Sequence, residues 1–328
     1  MEFSELLKIV DGYQKTRILF SAVDIGIFDK INANPANAED VADRCGTDSR
    51  YTETILNSLV SMKFLDKNDD IYRNTDAAVQ YLMKDSDSYI GDIILFTGNS
   101  WDAWGKLSAS IKEGKPKSKP YIEKQHDKEW DDFIKAMHNY ALSRGDADTT
   151  ARLIDLSKQN NLLDVACGPG TYSFELAKKY SNLNIILFDL PKTIGITKKI
   201  GIEYPFSDRI KYVEGDYNVD DFPSSYDCAL LFNIIHQENY DTNLKLIGKI
   251  FDGLDQDGIL IIKDHILNED KTLPEDGSIF SVQMRLTNGG RCYSESEVRS
   301  WMSDVGFSDI TKIGPAAPMT SAFMTGIK

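Results

Sequence analysis

The side chains in this chain best placed to do chemistry are carboxylates closing apolar runs, together with one histidine. Asn161-Leu162-Leu163-Asp164-Val165-Ala166-Cys167-Gly168-Pro169-Gly170-Thr171 reads as a buried strand, a glycine turn, and a helix start that carries Phe174, Leu176 and Ala177 inward. Gly168 and Gly170 let the backbone turn tightly and let a ligand approach without a Cβ in the way. The helix N-terminus turns unpaired N–H groups toward a carboxylate. The pattern is Asp-x-x-x-Gly-x-Gly, without the third glycine of the dinucleotide fingerprint, and an ordinary strand-to-helix turn is the competing reading. Asn184-Ile185-Ile186-Leu187-Phe188-Asp189 ends in a second acid, 25 positions after Asp164. An acid there can accept both hydroxyls of a ribose; a cap on the helix after Pro191 is the alternative. Ile210 to Glu214 then runs into Gly215-Asp216-Tyr217, where Asp216 can bond an exocyclic amine and Tyr217 can cover an adenine face. Three strand ends thus point at one nucleoside.

A fourth apolar run, Asp227 to Ile235, leads to His236, which a sheet of this kind turns toward its cleft. These motifs resemble the class I S-adenosylmethionine-dependent methyltransferases, and within them the two-domain small-molecule O-methyltransferases. The resemblance spans nearly the whole chain. It rests on Asp164 to Gly170, Phe188-Asp189-Leu190-Pro191, Gly215-Asp216, the segment around His236, and Gly289-Gly290-Arg291. It implies S-adenosyl-L-methionine contacts at Asp164, Gly168, Gly170, Asp189, Leu190, Gly215, Asp216, Tyr217, Phe232, Asn233 and Met137.

Methyl transfer from a sulfonium is an in-line displacement, so a phenolic acceptor must shed its proton. An imidazole, with an ordinary pKa near 6.5, can take it at neutral pH. The resemblance assigns that role to His236, oriented by Asp264 in Ile261-Ile262-Lys263-Asp264-His265. Two departures stand out. The family's His-Asp-Trp is here His236-Gln237-Glu238, and the second acid that plant members carry after Gly-Gly-Lys or Gly-Gly-Arg is here Cys292. These departures leave room for two alternatives: carbon or nitrogen methylation, or use of the sulfonium without transfer. A metal is not expected, since His236, Asp264, His265 and Cys292 have no recognised ligand spacing.

Composition fits a cytoplasmic enzyme. The 328 residues suggest two domains, and 41% hydrophobic content supports a large core. Cys45, Cys167, Cys228 and Cys292 are widely spaced, as reduced thiols are. No signal or spanning segment is evident in the amphipathic, charged stretch from Met1 to Lys30. A net charge of −14 argues against nucleic acid or anionic membrane as a partner.

The elements that must position these residues form an α/β architecture. From Asn161 onward, strands beginning near Leu162, Ile185, Ile210, Tyr226, Ile259, Phe307 and Ala322 predict a Rossmann-like seven-stranded sheet, its last two strands an antiparallel edge hairpin. Before it, Phe3, Leu6, Leu7, Val10, Ile18, Leu19, Val23 and Ile27 predict apolar-faced helices ending near Gly26. A helix from Asn37 to Cys45 follows. Next comes a helix from Ser49 to Met62, with Tyr51, Ile55, Leu59 and Met62 on one face. A hairpin of Phe64-Leu65 with Ile71-Tyr72 completes a mostly helical winged-helix pattern. Residues 36 to 84 hold six Lys/Arg against nine Asp/Glu, which disfavours a ligand-sensing DNA-binding regulator. The resemblance makes this region a homodimerisation domain that lends residues to the partner's pocket.

The resulting division is 1–115 for the dimerisation domain, 116–158 for linker and connecting helices, and 159–328 for the cofactor-binding domain. Lys112 to Pro120 reads as a linker. Trp130, Phe133, Ile134, Met137 and Tyr140 share a helix, and another runs from Thr149 to Ser157. Phe96, Trp101 and Trp104 are candidates for an aromatic acceptor pocket, His126 for an exposed residue and His138 for a helix face.

Overall fold

A computed structural model describes residues 1–117 and 127–328, so Ser118–Pro120 of the linker and His126 lie outside the described residues. Two compact units emerge, Met1–Trp101 and Asp102–Lys328.

In the first unit, α1 (Phe3–Ile25) ends at Gly26, whose φ of 78° is the left-handed turn that glycine adopts readily. Then come α2 (Ile27–Ala33), α3 (Ala38–Cys45) and α4 (Ser49–Ser61). Asn37 caps α3 and Asp48 caps α4 through side-chain oxygens that accept backbone N–H groups. The hairpin of β1 (Leu65–Asn68) and β2 (Ile71–Asn74) follows, then α5 (Asp76–Leu82) and α6 (Gly91–Gly98). The hairpin is longer than expected because its turn needs only Asp69-Asp70, with Asp69 at φ 53°. Phe28, Ile31, Leu56, Leu59, Leu65 and Tyr72 form the core. The buried face of α4 is Thr52, Leu56 and Leu59; of the expected stripe Leu59 is buried, Ile55 packs partly on the core, and Tyr51 is exposed. The stripe one position along packs toward α3 and β1.

α7 (Trp101–Gly105) spans the division between the units. The second unit continues with α8 (Leu107–Glu113), α9 (Asp127–Ser143) and α10 (Asp146–Leu153). Lys112 and Glu113 of the expected linker are therefore helical. α10 lies earlier than expected, because Gly145 at φ 70° opens it and Ile154 is already extended.

Alternation then sets in: β3 (Asn161–Val165), α11 (Thr171–Lys179), β4 (Asn184–Asp189), α12 (Pro191–Gly201), β5 (Ile210–Glu214) and β6 (Tyr226–Phe232). It continues through α13 (Tyr240–Gly253), β7 (Leu254–Asp264), α14 (Glu275–Thr287), α15 (Glu295–Val305), β8 (Ser308–Ile313) and β9 (Ala322–Ile327). The seven strands lie in the order β5-β4-β3-β6-β7-β9-β8, with β9 antiparallel to β7 and to β8. β7 begins at Leu254 rather than near Ile259; its first residue pairs with Tyr226, and the register then shifts before Cys228.

Both faces of the sheet are covered, which is why its central strands are apolar throughout. Leu162, Leu187, Leu230 and Ile261 face α9 to α12, and Leu163, Leu231 and Ile262 face α13 and α15. β3 sits between β4 and β6, so the strand order reverses there. The carboxyl ends of β3 to β7 consequently open on one edge, the edge at which open α/β sheets generally bind their ligands.

Candidate active site

The glycine turn follows β3 directly. Gly168 and Gly170 have φ values of 54° and 76°. A Cβ at Gly170 would meet Phe174 at 3.0 Å and Thr197 at 3.1 Å, whereas one at Gly168 would meet nothing within 4 Å. Gly170 is therefore required by packing, and Gly168 leaves a side of the turn open. The turn is pinned by Asp189, whose Oδ2 accepts the Gly168 N–H at 2.8 Å and whose Oδ1 accepts the Leu190 N–H at 2.7 Å. The capping alternative is not what is seen: α12 starts at Pro191 with Leu190 at its N-cap and no side-chain cap bond. Burial raises the Asp189 carboxyl above the usual range, although the two backbone N–H bonds pull it down.

Asp164 lies under the turn, 4% exposed, and its Oδ2 accepts a bond from Ser173 Oγ at 2.6 Å, tying β3 to α11. Burial pushes its carboxyl up to about 7 against the pull of Ser173, and the neighbouring Asp189 adds to the rise. α9 reaches the same place, where His138 Nδ1 and Thr171 Oγ1 lie 2.7 Å apart. Met137 precedes His138 on α9 and is half-buried.

At the end of β5, Gly215 has no room for a side chain, because a Cβ would lie 2.5 Å from the Phe188 ring. Asp216 Oδ1 accepts the Asn218 N–H at 2.8 Å, and the half-buried Tyr217 sends its hydroxyl to Glu238. Phe232 closes β6, edge-on to Tyr172 with ring centroids 5.4 Å apart. Asn233 takes φ 58° and donates its N–H to the Lys263 carbonyl at 2.7 Å, locking the turn after β6 to β7.

His236 sits in that turn, since α13 begins only at Tyr240, capped by Asn239. Its Nδ1 is 2.8 Å and 2.9 Å from the two carboxylate oxygens of Asp264, and both residues are buried. Burial pushes the Asp264 carboxyl up, but His236 and the His265 N–H outweigh it and hold it below the usual range. An ionised Asp264 accepts a hydrogen bond from the Nδ1–H, which leaves the lone pair on Nε2. The edge of Phe280 lies against the imidazole at 4.9 Å.

Cys292, where the second acid was sought, is buried, and its N–H donates to Ser281 Oγ at 3.1 Å. Burial raises its thiol far above the ordinary value, so it stays neutral. A single carboxylate therefore serves the His236 imidazole.

Lys263 was missed as a neighbour in the sequence, and His265 was weighed there only as a metal ligand. Lys263 is 2% exposed and donates from Nζ to the Tyr172 hydroxyl at 3.1 Å, and a lysine in an apolar strand was the available signal. His265 packs on Phe280 at 4.5 Å, and burial lowers its pKa to about 4. Trp101 packs edge-on to Phe20 in the first unit, and Trp104 bonds Gln283 in the second. Among the described residues, no three His, Cys, Asp or Glu side chains gather as a metal site, and no helix is long and apolar enough to cross a membrane.

Residues 104–308 match the O-methyltransferase domain family, and residues 7–84 match the O-methyltransferase dimerisation domain. The 3-hydroxy-5-methyl-1-naphthoate 3-O-methyltransferase of Streptomyces sahachiroi is 26% identical over 98% of this chain and 94% of its own. The N,N-dimethyltransferase OxyT of Streptomyces rimosus is 26% identical over 92% of this chain and 90% of its own. Among solved structures, human N-acetylserotonin methyltransferase in complex with SAM superposes with a TM-score of 0.88 at 22% identity, covering 99% of this chain and 97% of that one.

Proposed function

We propose, from the premise that this chain belongs to the family of S-adenosylmethionine-dependent O-methyltransferases, that it methylates a hydroxyl of a small aromatic acceptor, with His236 as the base. S-adenosyl-L-methionine, when bound, supplies an electrophilic methyl group on its sulfonium. The groups at the cleft edge suit such a guest. Gly168 has open space on its Cβ side, and Asp189 and Asp216 each stand at a strand end. On this reading, Asp164 holds the turn from beneath, while Gly170 and Gly215 keep the backbone close. Leu190, Tyr217, Phe232, Asn233 and Met137 line the same edge.

The observation that carries the reading is the His236–Asp264 contact at 2.8 Å. With Nδ1 bound to the carboxylate, Nε2 is free to accept the acceptor's hydroxyl proton, and Asp264 stabilises the imidazolium that results. The neutral Cys292 gives no such help, so the reaction relies on Asp264 alone. The naphthoate-methylating relative supports an aromatic hydroxyl acceptor. Incubation with S-adenosyl-L-methionine and a panel of hydroxylated and aminated bicyclic aromatics should release S-adenosylhomocysteine with the hydroxylated ones. Transfer only to amines would overturn the oxygen assignment.

The same proposal includes a homodimer built through the first unit. Phe3 is 73% exposed, and Leu6, Leu7, Ile9 and Val10 are exposed beside it on α1. An apolar run of that length needs a cover in water. A cytoplasmic location belongs to this reading as well, supported by four free cysteines.

A further inference from the structure

We infer that Glu238 is a positioning residue that ties the nucleoside end of the cleft to the imidazole of His236; this rests on His236 being the base. Glu238 lies two residues past His236, in the connection between β6 and α13 that neither helix nor strand holds. Its Oε1 accepts the Tyr217 hydroxyl at 2.7 Å, and its backbone carbonyl accepts the Tyr293 hydroxyl at 2.6 Å. Tyr217 directly follows Asp216 at the exit of β5, and Tyr293 directly follows Cys292.

The start of the connection is fastened separately. Asn233 is bonded to β7, and Gly290 presses so closely that a Cβ there would lie 2.1 Å from the His236 carbonyl oxygen. Gln237, standing where the family carries its acid, turns its amide back to the Asn233 carbonyl at 3.3 Å. The acid of this segment has moved one position along, and it holds Tyr217. Burial, then the Glu238 carboxylate itself, raise the Tyr217 hydroxyl well above its ordinary value, so it remains a donor throughout the working pH range.

The consequence is a coupling. An imidazole that must offer Nε2 while Asp264 holds Nδ1 tolerates little displacement. A guest against the Tyr217 loop orders Tyr217, and through Glu238 it orders the segment that bears His236. The base is therefore best aligned when the cofactor is in place.

The test follows the His236 imidazole by NMR while S-adenosylhomocysteine is added to the full chain. Only four histidines need assignment, and His236→Gln identifies the signal. The wild type should show the His236 resonance shift on binding. Tyr217→Phe, which keeps the ring, and Glu238→Ala should abolish that shift and lower kcat roughly 10- to 100-fold, with both variants saturated by S-adenosylhomocysteine. Glu238→Gln, whose amide oxygen still accepts the tyrosine hydroxyl, should restore most of both. The double variant should lose no more than the worse single one. No shift in the wild type, or the same shift in Tyr217→Phe, overturns the coupling. The NMR signal is read without turnover, so it separates this failure from failure of the base assignment.

Discussion

The Nδ1 of His236 lies between both carboxylate oxygens of Asp264, at 2.8 Å and 2.9 Å, with the acid 1% exposed. That contact fixes which ring nitrogen carries the proton. An asparagine in place of Asp264 can present an N–H to Nδ1 and so favour the opposite tautomer. Asp264→Asn should lower kcat roughly 10²- to 10⁴-fold while leaving S-adenosylhomocysteine binding intact in calorimetry. A variant that turns over like the wild type would remove Asp264 from the account.

The two glycines of the turn separate packing from ligand access. Gly170→Ala meets Phe174 and Thr197 at φ 76°, so it should cost about 2 kcal/mol or more in urea unfolding. Gly168→Ala meets only backbone strain, about 1 kcal/mol. It should instead weaken S-adenosylhomocysteine binding at least about tenfold, because its methyl enters the open side. Equal affinity in Gly168→Ala would place the ligand elsewhere.

Stability should carry the imprint of Asp164. Burial pushes its folded carboxyl up to about 7, well above the usual carboxylate value near 4. Between those values the folded chain holds a proton that the unfolded chain has released. Its contribution is thus fully present below pH 4 and lost as pH rises through 7. Asp164→Asn should flatten that decline when urea midpoints are compared at pH 5 and pH 8. An unchanged slope would show that Asp164 ionises normally.

The apolar end of α1 makes a separate prediction. Leu6→Lys combined with Val10→Lys should shift the light-scattering mass from dimer to monomer without altering the helical circular dichroism signal. A wild-type monomer at all concentrations would count against the assembly.

Much of this site was legible because strand ends in a parallel sheet share one edge, so Asp164, Asp189, Asp216, His236 and Asp264 could be gathered from their places after apolar runs. Motif order alone brought His236 to Asp264, 28 positions apart. What stayed hidden depends on packing. The Gly168 N–H donates to Asp189, the Lys263 side chain reaches Tyr172 across 91 positions, and Tyr217 meets Glu238 across 21. The α4 face was only partly legible: Leu59 was expected and is buried, whereas Thr52 and Leu56 are covered and Tyr51 is not, which only the packing neighbours α3 and β1 decide. The early start of β7 was hidden by the register shift that interrupts its pairing with β6.

The central claim is that His236 removes the acceptor's proton, and the most direct measurement is S-adenosylhomocysteine release by His236→Ala beside its affinity for the same product. The account predicts turnover reduced roughly 10²- to 10⁴-fold, with affinity within about twofold of the wild type. Turnover at the wild-type rate with the cofactor site saturated would contradict it.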